Sequence, residues 1–163
     1  MQDFVLYEES FRKIDAELRR LQQLANAKLV FLVDKNGQLI SAVGDTSTID
    51  TTALASLTAG NIAASGGIAK LLGQKEFSIL FHEGERDNLH ISIVANKVIL
   101  VVVFDQRTSL GLVRLRVKKS TEALELIFQE METKAKAASP GKEGEAASPF
   151  ADITDEDIEK LFG

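Results

Sequence analysis

The chain has 163 residues, one domain's worth with room for a substantial core, and its 45% hydrophobic and 26% charged residues are ordinary for a globular protein. A formal net charge of −5 and the lack of any basic-aromatic platform argue against nucleic-acid binding. With no cysteine there are no disulfides, thiolate metal sites or cysteine nucleophiles, a composition that fits a cytoplasmic protein. Phe4, Leu6, Tyr7, Phe11, Ile14, Leu18, Leu21 and Leu24 recur at three- and four-residue steps, which predicts an amphipathic helix over roughly 7–25. A strand over 29–33 follows, then Asn36-Gly37 as a type I′ turn, then a returning strand over 39–43. A second helix spans about 50–72, capped by Asp50 or Thr51 and stopped by Gly73. Strands over 77–83, 89–95 and 98–105 come next, the last two joined tightly at Asn96-Lys97. A long helix from Thr108 or Ser109 to Lys136 places Leu112, Leu115, Ala123, Leu124, Ile127, Phe128 and Met131 on its apolar side.

The order α-β-β-α-β-β-β-α, with strands linked mainly by hairpins, predicts an α+β fold: a five-stranded antiparallel sheet with helices on its faces. The longest apolar run, 98–104, is far too short to span a bilayer, and the first residues have neither a basic n-region nor a cleavage site, so no membrane insertion is expected. The expected organisation is a domain over 1–136, a linker over 137–149 marked by Ser139-Pro140-Gly141 and Ser148-Pro149, and an acidic C-terminal helix over 150–163.

The second helix has nowhere polar to face. Between Thr52 and Gly73 its only charge is Lys70. A helical wheel groups Leu54, Leu57, Ile68 and Leu72, which are expected to pack on the sheet. Ser56, Gly60, Ala63 and Gly67 fall opposite, flanked by Ala59, Ala64 and Gly66. Each glycine inside a helix costs roughly 0.5–1 kcal/mol relative to alanine. What that loss obtains is a smooth face that another backbone can approach closely. The candidate platform for a partner or a second copy is therefore Ser56, Ala59, Gly60, Ala63, Ala64, Gly67 and Lys70. The bland alternative is a central core helix covered by the first and last helices. Phe77, Ile79 and Phe81 point one way along the following strand, which would sit at a sheet edge and invite pairing with a copy of itself.

Catalytic patterns are missing. There is no phosphate-cradling glycine loop and no nucleophile elbow, and no cofactor or metal site is expected. His82 and His90 read as hydrogen-bonded structure, and the acidic run 152–159 lacks calcium-loop spacing. Arg107, Arg114, Arg116, Lys118 and Lys119 form the one basic concentration: a solvated helix face, a partner site, or a dock for the chain's own tail.

That tail holds the whole net charge. Residues 1–136 carry 17 Lys/Arg and 17 Asp/Glu, whereas 137–163 carry two lysines against seven carboxylates. Thr154-x-x-Asp157 is a capping-box variant, Ile153 and Ile158 make a hydrophobic staple, and Ile158, Leu161 and Phe162 share one helical face. So short a segment is expected to stay disordered until bound. Its apolar anchors contribute roughly 5–8 kcal/mol gross when buried, and ordering removes about 2–5 kcal/mol. Such a tail is an auxiliary grip on a partner already held by the domain. The alternative is self-docking on Arg114 and Arg116.

The stretches NAKLVFLVDKNGQLIS (26–41), DTTALASLTAGNIAASGGIAKLLG (50–73), FHEG (81–84), FDQRTSLGLVRLRVKK (104–119) and SPFADITDEDIEKLF (148–162) resemble the Roadblock/dynein light-chain family, and within it the bacterial regulators of a Ras-like small GTPase. The resemblance implies a homodimer whose second helices pack side by side and whose third strands pair. It implies a GTPase activator that supplies no catalytic residue of its own, with a C-terminal segment that contacts the GTPase separately and aids nucleotide exchange. Bacterial polarity or motility, and a cytoplasmic protein concentrated at a cell pole, follow from the same resemblance. Carried over, the GTPase platform involves Ala59, Gly60, Ala63, Ala64 and Gly67, and the tail grip Ile153, Thr154, Asp157, Ile158, Leu161 and Phe162. The competing reading is a passive scaffold dimer that only localises a complex.

Overall fold

Five short runs rich in β-branched residues pair into a single antiparallel sheet in the computed structural model, which describes residues 2–138. The elements are α1 (Gln2–Leu24), β1 (Leu29–Asp34), β2 (Leu39–Gly44), α2 (Thr51–Leu71), β3 (Ile79–His82), β4 (Asn88–Val94), β5 (Val98–Phe104) and α3 (Leu110–Ala138). The strand order is β2-β1-β5-β4-β3, so the two most continuous apolar runs, β1 and β5, lie side by side at the centre, where both faces are covered. The predicted fold class and element order hold.

The two-residue period of the strands divides the core into two layers. Val30 and Leu32 of β1 and Leu100, Val102 and Phe104 of β5 face one side, where α1 brings Ile14, Leu18 and Leu21 and α3 brings Val113, Val117 and Leu124. Phe31, Val33, Ile91, Ile99 and Val101 face the other side, where α2 lies. Two contacts brace the first layer: Lys13 pairs with Glu130 across α1 and α3 at 3.1 Å, and Ser41 of β2 donates to Asp15 of α1 at 3.0 Å.

Helix ends follow their caps. The Asp50 carboxylate accepts from the Ala53 N–H at 3.0 Å, Gly73 turns the chain out of α2 at φ +77°, and the Ser109 hydroxyl accepts from the Leu112 N–H at 3.2 Å. Three local expectations change. At the first hairpin only Gly37 has positive φ, and the Gly37 N–H donates to the Asp34 carbonyl, so the turn is type I followed by a left-handed glycine rather than type I′. The paired positive φ values of a type I′ turn occur instead at Ala95 and Asn96, between β4 and β5. On α3, Leu115 is exposed while Val113 and Val117 are buried, because those two continue the stripe through Ser120 and Leu124.

Candidate functional site

α2 sits on the sheet about a quarter turn away from the orientation its large residues suggest. Ala55, Thr58 and Ala69 are its buried residues, with Leu54 and Ile62 packed beside them on the sheet. Leu57, Ile68, Leu71 and Leu72 instead remain 71%, 54%, 88% and 64% exposed. The expectation that Leu57, Ile68 and Leu72 pack on the sheet is therefore wrong; of that group only Leu54 does. The reason is steric. Small residues let the helix axis come close to the strands, and Thr58 is admitted because its hydroxyl donates to the Leu54 carbonyl at 2.7 Å within its own helix. The β1–β2 turn also approaches so tightly that a Cβ on Gly37 would lie 3.2 Å from the Ser56 Cα.

The predicted platform residues come together on the opposite side. Ser56, Gly60, Ala63, Ala64, Gly67 and Lys70 are all exposed, and Ala59 is half-buried at the margin, toward Gly37. A Cβ added to Gly60, Gly66 or Gly67 would meet nothing within 4 Å. No close contact among the described residues requires glycine there, in contrast to Gly44, where a Cβ would fall 2.5 Å from the Lys28 carbonyl oxygen. The leucines and isoleucine that sequence reasoning sent inward flank this smooth strip. The surface thus combines a flat centre with large apolar side chains on its rim. The missed signal was lack of contrast: a helix apolar all round has no wheel minimum to orient it.

β3 completes the surface. Among the described residues it pairs only with β4, so none of them occupies its outer backbone edge. Asn61 of α2 lies 3.3 Å from the His82 Nε2 of β3, which places helix face and strand edge side by side. Ile79 and Phe81 point to the other face of the sheet, where Ile79 is exposed and Phe81 half-open, the latter stacked on Phe104 with ring centroids 6.2 Å apart. Phe77 is a correction: it is half-buried and precedes the strand, which is shorter than predicted although the Ser78 carbonyl still accepts from the Ile93 N–H. The tail residues Ile153, Thr154, Asp157, Ile158, Leu161 and Phe162 lie outside the described residues.

His90 is buried on the other side of the sheet, where among the described residues neither ring nitrogen meets a well-aligned hydrogen-bond partner, and its burial, reinforced by the nearby Arg114 charge, lowers its proton affinity below the ordinary imidazole value. Arg107 is held by Asp105, at 3.0 Å. Among the described residues no three His, Asp or Glu side chains are grouped to hold a metal, and no helix is long and apolar enough to cross a membrane.

A protein-family model for the Roadblock/LC7 domain matches residues 13–104, from α1 through β5. The chain belongs to the Roadblock/LC7 family. Among solved structures of this family, MglB from Myxococcus xanthus is 62% identical with a TM-score of 0.73, over 74% of this chain and 91% of that one. The gliding protein MglB from Thermus thermophilus is 31% identical, TM-score 0.70, over 74% and 92% respectively. A further MglB, described with a tetrameric arrangement, is 30% identical, TM-score 0.71, over 75% and 92%. No curated protein sequence matches the chain.

Proposed function

We propose that this Roadblock/LC7 protein is a homodimer that regulates a Ras-like small GTPase of the MglA type in bacterial polarity or motility. The observation that carries the reading is the outer face of α2, where large apolar side chains and sterically unexplained glycines share one exposed surface. In the proposed dimer the two α2 helices lie side by side and the two β3 edges pair, extending the sheet across the molecule. Full burial is worth about 1.5–3 kcal/mol for a large apolar side chain, so Leu57, Ile68, Leu71 and Leu72 offer roughly 4–8 kcal/mol gross per copy. That is comparable to the loss of translational and rotational freedom on association, about 4–15 kcal/mol, and it doubles when both copies contribute. The similarity to several MglB structures supports the same reading.

The GTPase would rest on the platform formed by the small residues of both helices, Ser56, Ala59, Gly60, Ala63, Ala64 and Gly67. Lys70 is the only charge on this face of α2, so the protein would accelerate hydrolysis by ordering the catalytic segments of the GTPase. The tail, 150–163 beyond the linker 137–149, would act as a second grip through Ile153, Ile158, Leu161 and Phe162, with Thr154 and Asp157 capping it, and would aid nucleotide exchange. The protein would work in the cytoplasm, concentrated at a pole by its partners.

Single-turnover GTP hydrolysis by the cognate GTPase tests this. The full chain is expected to accelerate turnover, and deletion of 148–163 to keep the dimer but weaken binding or exchange. Intact binding without acceleration would make the protein a passive adaptor; no nucleotide-dependent binding would refute the GTPase reading.

A further inference from the structure

On the face of the sheet opposite α2, exposed side chains of β3 and of α3 flank the buried His90 and Ser92 of β4, forming a surface strip. By register, Ile79 lies beside Ser92 and Phe81 beside His90 on β4, and these continue to Leu100 and Val102 on β5, which belong to the α1/α3 layer. Ile79 and Phe81 therefore project on the α3 side, where they stay partly exposed. Arg114 interacts electrostatically with His90, which sets this arginine on the β4 side of α3. Lys118 follows one turn later on the same side, and both are exposed. Among the described residues neither Arg114 nor Lys118 takes part in an ion pair. The strip thus has an apolar margin along β3 and a cationic one along α3.

The chain carries its own complement. Residues 139–163 continue directly from the end of α3 and hold two lysines, seven carboxylates and the apolar residues Ile153, Ile158, Leu161 and Phe162. Lys118 precedes Ala138 by twenty residues of helix, a distance of about 30 Å. The fourteen residues 139–152 span at most about 46–50 Å when extended, so Ile153 reaches Lys118 with slack. We propose that residues 150–163 fold back and dock in this strip, their carboxylates on Arg114 and Lys118 and their apolar residues on Ile79 and Phe81. Docked there, the tail lies over the sheet face beside β3, leaves the outer backbone edge of β3 free, and is withheld from any other partner, so a protein that uses the tail must first displace it. The docking does not depend on the GTPase reading.

Because the chain has no cysteine, Gly163→Cys in the full-length protein takes a single nitroxide label. Amide signals of residues 79–82 and 113–119 are expected to lose most of their intensity at low salt, while those of β2 are unaffected. Raising salt from 0.1 M to 1 M, which shortens the screening length from about 10 Å to about 3 Å, should restore much of that intensity. The double substitution Arg114→Glu and Lys118→Glu should restore it without salt, with the β2 signals reporting an unchanged fold. Broadening elsewhere, broadening nowhere, or insensitivity to both salt and charge reversal would overturn the proposal. A mixture of unlabelled tagged chain and isotope-labelled untagged chain separates the source. Broadening of the untagged chain at 79–82 and 113–119 in that mixture would mean that the strip holds another copy's tail, and self-docking would fail.

Discussion

α1 and α2 both lie along a single sheet, and they bury opposite kinds of side chain. α1 sends Ile14, Leu18 and Leu21 into the core and leaves Arg12, Arg19 and Arg20 outside. α2 sends Ala55, Thr58 and Ala69 inward and leaves Leu57, Ile68, Leu71 and Leu72 outside. The first helix is complete within one copy of the chain; the second exposes the side chains that water disfavours most. Amphipathicity therefore marks where α1 meets its own fold, whereas the apolar outer face of α2 is the surface that the proposed interface would cover.

Five substitutions can break or sharpen this contrast. The largest effect is expected from Ala63→Arg, which sets a long cation at the centre of the exposed face. The protomer should keep its circular dichroism spectrum while dimer and GTPase binding are lost; wild-type assembly and binding would remove the platform. Next, Leu18→Ala in α1 should destabilise the fold by about 2–5 kcal/mol, whereas Leu71→Ala should change protomer stability by no more than about 0.5 kcal/mol. Denaturant titration at high dilution would separate the two, and equal losses would contradict the assigned faces.

A smaller effect concerns His90. Its proton affinity is lowered in the fold, so the unfolded chain takes up the proton more readily. The stability it contributes is fully present above the unfolded pKa of about 6.5 and declines as pH falls below that value. The melting temperature should drop between pH 7 and pH 5.5, and His90→Leu should flatten that slope. An unchanged slope would exclude His90 as its source. Smallest of all, Gly67→Ala should raise protomer stability by about 0.5–1 kcal/mol, since the new Cβ meets nothing, and should weaken assembly. Stronger assembly would show that the smooth strip is not an interface.

Much of the fold was legible because its signals are local: the short continuous apolar runs of β1 and β5, the caps at Asp50 and Gly73, and the periodicity of α1. The small residues of α2 were recognised as an outward face for the same reason, since glycine in a helix carries a known penalty. The orientation of Leu57, Ile68 and Leu72 was not legible. It depends on how closely α2 approaches β1 and β2, a tertiary distance that Ala55, Thr58 and Gly37 decide together. Leu115 failed similarly, because α3 is amphipathic only along the stripe through Val113 and Val117.

Sedimentation equilibrium of the full-length chain at tens of micromolar tests the central claim most directly. If the outer face of α2 is finished by a second copy, the mass will be twice that of the chain. A clean monomer at that concentration would contradict the account.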